Sequence, residues 1–196
     1  MPVRHTTHAL MLLAVALVGG CNANSTTQPT ALTTQASAEA ALLKEALPAF
    51  AKSHNEKIQL SSYAGSILCP IDPVFKPFYE NMAVTQQALS EQLMTWAHEH
   101  NVSLRFAYPA GLRGEAQKLQ EQRQEAVARG DKQVDFERDM LIDMAQDYEW
   151  QVCMIKSLQP KVSDPALKAY LAKSLEVHEA GLKEIAPLLK KYKLSK

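Results

Sequence analysis

The chain has 196 residues, with 21 Lys+Arg against 21 Asp+Glu and 46% hydrophobic residues. That length suits one domain, the zero net charge offers no grip on nucleic acid, and the hydrophobic content excludes wholesale disorder. Only 3 Cys and 7 Gly exclude disulfide-dense and collagen-like classes.

Residues 1–8 hold Arg4 and no acid, and an apolar run from Ala9 to Val18 follows. The run is too short to span a bilayer and has the layout of a secretory signal peptide. Val18-Gly19-Gly20-Cys21 resembles a bacterial lipobox, whose Cys becomes the lipidated first residue of the mature chain. A plain signal peptide with a coincident Cys is the alternative. Several acyl chains on Cys21 would make anchoring stable where one would be marginal. By resemblance to the common sorting rule, Asn22 rather than Asp at the next position favours the outer membrane over the inner one. Residues 22–36, NANSTTQPTALTTQA, bury too little apolar surface to offset their ordering entropy. They read as a flexible tether. The expected organisation is a signal peptide at 1–20, a tether at 21–36 and a helical domain at 37–196.

From residue 37 the pattern is helical. Pro48 should kink or break the first helix, and Ser53-His54-Asn55-Glu56 reads as a capping box that restarts it. Pro70 ends this stretch, and Asp72-Pro73 is an N-cap and N1 pair for the second helix. There Phe75, Phe78, Met82, Gln86, Leu89, Leu93 and Trp96 recur at spacings of three and four. Residues 102–108 alternate apolar and polar but have no second run to pair with, so an extended connection is expected. A polar helix covers 112–129 and stops at Gly130. The third core helix, 133–159, carries Phe136, Met140, Met144, Tyr148, Val152 and Ile155 in a stripe. The fourth starts at Ser163-Asp164-Pro165 and carries Leu167, Leu171, Leu175, His178, Leu182, Ile185 and Leu189; Pro187 should bend its end. Four such helices imply an all-α four-helix bundle. The connection between the second and third is long enough to cross the bundle, so a ferritin-like crossover is expected rather than an up-down meander.

Three stretches carry a family resemblance. They are Phe136 to Tyr148, Asp164 to His178, and Lys76-Pro77-Phe78-Tyr79-Glu80-Asn81-Met82. Together they make residues 50–190 similar to a bacterial periplasmic family of unknown function that is itself expected to be ferritin-like (number four thousand one hundred and forty-two in its series). The resemblance implies a helical domain in the periplasm. The family places His in the second and third helices where this chain has Gln86 and Tyr148, and only His178 remains.

Gln86, Tyr148 and His178 are polar residues in apolar stripes on three helices. They form either a remnant ligand pocket or a buried, mutually satisfied hydrogen-bond cluster. A di-iron bundle needs two Glu-x-x-His pairs, and none occurs in the sequence. No metal or other cofactor is therefore expected. His98 and His100 point in different directions at a helix end and read as surface residues. Asp135, Asp139, Asp143 and Asp147 form an i, i+4 ridge on the flank of the third helix, either a solvated face or a surface for a basic partner. Cys69 and Cys153 are expected as two buried free thiols, too far apart along a crossover bundle to bridge. No Gly-x-Ser-x-Gly, phosphate loop or zinc-spaced Cys pair supports an enzyme. The leading expectation is a non-catalytic, lipid-anchored periplasmic bundle that binds something or serves in envelope stress. The alternatives are a metal- or small-ligand-binding ferritin relative, or an interaction module that displays the acidic ridge to a protein partner. The only other partner expected is the membrane, through the lipid.

Overall fold

Phe50, Leu89, Ile155 and Leu171 come from four different helices, yet all four are buried in one apolar cluster. The computed structural model describes residues 30–63, 72–128 and 133–193. Every regular element among them is helical: α1 (Thr30–Tyr63), α2 (Lys76–Glu99), α3 (Leu112–Ala128), α4 (Gln133–Leu158) and α5 (Pro165–Lys193), with a 3-10 turn at Gln159–Lys161. The expected signal peptide, Cys21, Cys69, Pro70 and Gly130 lie outside the described residues. None of the described helices is long and apolar enough to cross a membrane.

α1 packs along α2, α4 along α5, and α2 along α5. Asp72, ahead of α2, donates its backbone N–H to the Glu137 carboxylate of α4, and its own carboxylate pairs with Lys191 near the end of α5. At the opposite end Trp96 of α2 donates to Asp164, just before α5. α2 and α4 therefore start at the same end and α5 runs against both. Ser163 donates to Glu39, so α1 begins at the other end and runs with α5. The chain between α2 and α4 must return over roughly 35 Å, the length of α2 at 1.5 Å per residue. Residues 102–109 take no regular secondary structure and, with α3, supply that return.

The helix ends follow local chemistry. Asp164 caps α5: its Oδ1 accepts from the Leu167 N–H at 2.7 Å and from the Trp96 indole at 2.9 Å, with Pro165 at the first helical position. α2 ends on Asn101 at φ 52°, with Asn101 N donating to the His98 carbonyl and Val102 N to the Ala97 carbonyl. That pair of bonds is the Schellman pattern, in which Asn tolerates the left-handed conformation. Asp72-Pro73 forms a turn instead of the helix start, and α2 begins three residues later at Lys76.

Three expectations are corrected in α1 and one in α4. α1 begins at Thr30, so the last seven residues of the expected tether are helical; Ala31, Leu32 and Ala36 favour that state. Pro48 lies inside an unbroken helix. It removes one backbone hydrogen bond, but Leu47 and Phe50 on either side are fully buried, and that packing carries the helix through the proline without a break. No capping box forms at Ser53–Glu56, because the helix never restarts there; Ser53 and His54 are buried instead. Cys153, expected to be buried, is exposed on α4 next to the buried Val152.

The apolar interior is split. One cluster joins Leu47, Phe50, Leu89, Leu93, Ile155 and Leu171; the other joins Phe78, Met82, Leu141, Met144, Tyr148 and Ile185. Along α2 Gln86 falls between Met82 and Leu89, and along α5 Ser174 and His178 fall between Leu171 and Ile185. A polar layer thus separates the two clusters. Among its described side chains, α1 gives the second cluster only the partly buried Leu60.

Candidate functional site

The structure brings Gln86, Tyr148 and His178 together in that layer. The Tyr148 and His178 rings meet edge to face with centroids 5.2 Å apart, and Gln86 and His178 are fully excluded from solvent. Two further residues complete the layer. His54 Nδ1 donates to Gln86 Oε1 at 2.6 Å, the Tyr170 hydroxyl donates to His54 Nε2 at 2.8 Å, and the His54 ring stacks on His178 at 6.0 Å. His178 Nδ1 donates to the Ser174 carbonyl at 2.6 Å. The acceptors on each Nδ1 fix both imidazoles in the same neutral tautomer. Burial, reinforced by the nearby charge of Lys57, pushes His54 down to about 3 and His178 down to about 4. Burial also drives the Tyr148 and Tyr170 hydroxyls well above their ordinary range. These groups stay neutral at any physiological pH.

Gln86 Nε2, His178 Nε2 and both amide atoms of Gln151 find no hydrogen-bond partner among the described residues. Each such group costs about 1–3 kcal/mol when buried dry. His54 gave no sign of its role in the sequence for a specific reason. His54 lies four residues after Phe50 and seven after Leu47 on one helical face, but the Ser-x-x-Glu pattern reads as a cap.

Beside this layer α1 and α4 make little contact, and a cleft of about 1060 Å³ opens between them. The polar contacts lie low in the cleft, against the core. Lys57, whose side chain is 5% exposed, forms an ion pair with Asp147, whose side chain is 38% exposed. Ser53 Oγ donates to Asp147 at 2.9 Å, and the Lys57 ammonium lies 5.0 Å from the Tyr148 ring centroid. Burial opposes ionisation of Asp147, but the Lys57 charge and the bonds from Lys57 and Ser53 outweigh it and hold the carboxyl below its ordinary range. α4 lines one wall with Met140, Met144, Asp147, Trp150 and Met154. α1 lines the other with Pro48, Ala49, Lys52 and Leu60, and residues of the 103–109 segment and of α3 close the outer side. There Lys52 binds Glu56 and Glu121, and its ammonium lies 5.2 Å from the Phe106 ring centroid. Tyr108 also hydrogen-bonds Glu121.

The acidic ridge does not act as one surface. Asp147 turns into the cleft, Asp143 lines it, and Asp139 pairs with Arg138 at 2.9 Å. The side chain of Asp135 lies outside the described residues. The expectation that the ridge keeps to the flank is thus corrected at its last member, because α4 turns that face toward the space α1 leaves. His98 is exposed, while His100 stacks on Trp96 at 4.3 Å and serves the end of α2. Among the described residues no group of three or more His, Cys, Asp or Glu is placed to hold a metal ion. No family model, curated protein or solved structure matches this chain.

Proposed function

We propose that the protein is a non-catalytic binding domain, tethered by lipid on Cys21 to the periplasmic face of the envelope, outer membrane favoured, that takes a small amphiphilic molecule into the α1–α4 cleft. The cleft carries this reading. At about 1060 Å³ it is slightly larger than the usual small-molecule site, and it combines a mainly apolar surface with polar groups that include the buried Lys57 paired to Asp147. The methionine-rich α4 wall suits ligands of irregular shape. The lipidation rests on the Val18-Gly-Gly-Cys21 motif. The parallel run of α2 and α4, with a return connection between them, supports a ferritin-like arrangement of the helices. The neutral imidazoles of the polar layer are the chemistry of a structural core: His54 already uses both ring nitrogens, on Gln86 and Tyr170.

A neutral solvatochromic dye tests the reading. Nile red should bind the full chain with a blue-shifted, enhanced emission, and Ala49→Trp, which fills the α1 wall, should abolish that signal with helicity unchanged. Undiminished dye binding by a folded Ala49→Trp protein would place the site elsewhere.

A further inference from the structure

Ion pairing in the cleft is one-sided. Glu45, Glu56, Glu121, Asp143 and Asp147 line it, and none of these carboxylates is free. Glu56 and Glu121 hold Lys52, Asp147 is bonded by Lys57 and Ser53, and Glu45 and Asp143 have partners of their own. The cations divide instead. Lys52 and Lys57 are matched, whereas the side chains of Lys44 on α1 and Arg105 on the 102–109 segment meet no partner among the described residues, and both are exposed.

These two cations lie at the same end of the cleft. Leu43 and Leu104, their neighbours in sequence, pack on the cluster around Phe50 and Leu89, and so does Met154 of the α4 wall. At the other end the lining residues Leu60, Met140 and Met144 belong to the second cluster or pack on it. From Lys44 to Leu60 the cleft follows α1 for roughly 24 Å at 1.5 Å per residue. Unmatched positive charge therefore stands at one end of an elongated opening, with thioethers and Leu60 at the other.

We infer that the occupant of this cleft is an organic anion with an elongated apolar body, its carboxylate or phosphate head held by Lys44 and Arg105 and its body lying along Ala49 toward Met144 and Met140. The inference rests on the proposed binding role of the cleft and specifies the chemistry of its occupant. An anionic head supplies the counterion that the fold gives to Lys52 and Lys57 but not to these two side chains. The Arg105 guanidinium adds a planar fork that can take either kind of head through two parallel hydrogen bonds. A cationic head would meet both charges in repulsion and find every lining carboxylate engaged.

Four probes that share one body separate the alternatives: 4-phenylbutyrate, 4-phenylbutylphosphonate, 4-phenylbutanol and 4-phenylbutylammonium, each titrated calorimetrically into the purified full chain. The better anion should bind at least about threefold more tightly than the alcohol and about tenfold more tightly than the ammonium. Which of the two anions leads identifies the head. The exposed positions tolerate a Lys44→Gln, Arg105→Gln double substitution, and with helicity unchanged it should weaken the anions about three- to tenfold while leaving the alcohol within about twofold. Raising the salt from about 0.05 M to about 0.5 M should likewise weaken the anions and spare the alcohol. Equal affinity for charged and neutral probes, tightest binding of the ammonium, or an equal loss for anion and alcohol in the double variant would each overturn the anion assignment while the cleft remained a binding site. Failure of every probe to bind would remove the binding role as well.

Discussion

A Cβ on Gly181 would lie 2.2 Å from the Tyr148 ring, so the absence of a side chain on α5 is what lets Tyr148 reach the polar layer and meet His178 edge to face. Alanine is ordinarily better than glycine inside a helix by about 1 kcal/mol. Here the sign should reverse: Gly181→Ala should lower the unfolding free energy by about 1–3 kcal/mol in urea titration, and a more stable variant would mean that Tyr148 is lodged elsewhere. His54 and His178 make a second residue-scale prediction. Both are pushed down, to about 3 and about 4, from an unfolded value near 6.5. The unfolded chain therefore binds protons first as the pH falls. The stability due to keeping these rings neutral is intact above about pH 6.5 and is lost progressively as the pH falls toward 3–4. By pH 5 each ring should have cost about 2 kcal/mol. The depressed carboxyls Asp147 and Asp164 oppose unfolding down to a lower range and do not mask this slope. Melting temperature should thus drop steadily from pH 7 to pH 5, and His178→Gln should roughly halve the slope; a flat profile would show that the rings are solvated.

At the scale of elements, α1 holds an internal proline that the fold overrides. Removing it restores a backbone hydrogen bond worth part of the roughly 3 kcal/mol proline penalty, offset by looser packing and a freer unfolded chain. Pro48→Ala should therefore raise stability by about 1–2 kcal/mol in chemical denaturation. A loss of stability would mean that the proline geometry shapes the cleft wall. The stripes of α2, α4 and α5 were legible because their apolar residues repeat over several turns: Met82, Leu89 and Leu93, or Leu167, Leu171 and Ile185, are all buried as their spacing requires. Gln86, Tyr148 and His178 stood out as polar interruptions of those stripes, and they meet. α1 was misread because Pro48 and Ser53–Glu56 carry strong local signals that tertiary packing around Leu47 and Phe50 overrules. His54 went with that misreading. Tyr170 lies one residue off the leucine spacing of its helix and gave no signal of its own.

For the whole molecule, the all-helical class was accessible from the sequence, but the cleft was not. Whether α1 and α4 touch or diverge depends on how four faces share the interior, and no periodicity within either helix encodes it. The proposed lipid anchor rests on the Val18–Cys21 motif: metabolic labelling with an alkyne fatty acid should mark the chain, and Cys21→Ser should remove the label, whereas retained labelling would refute lipidation at that residue. The most direct test of the binding cleft uses its methionines. With methyl-labelled methionine, titration of the full chain with 4-phenylbutanol should shift the resonances of Met140, Met144 and Met154, which line the cleft, and leave Met82 and Met94 in place. Shifts confined to Met82 or Met94, or none at all at saturating probe, would contradict the account.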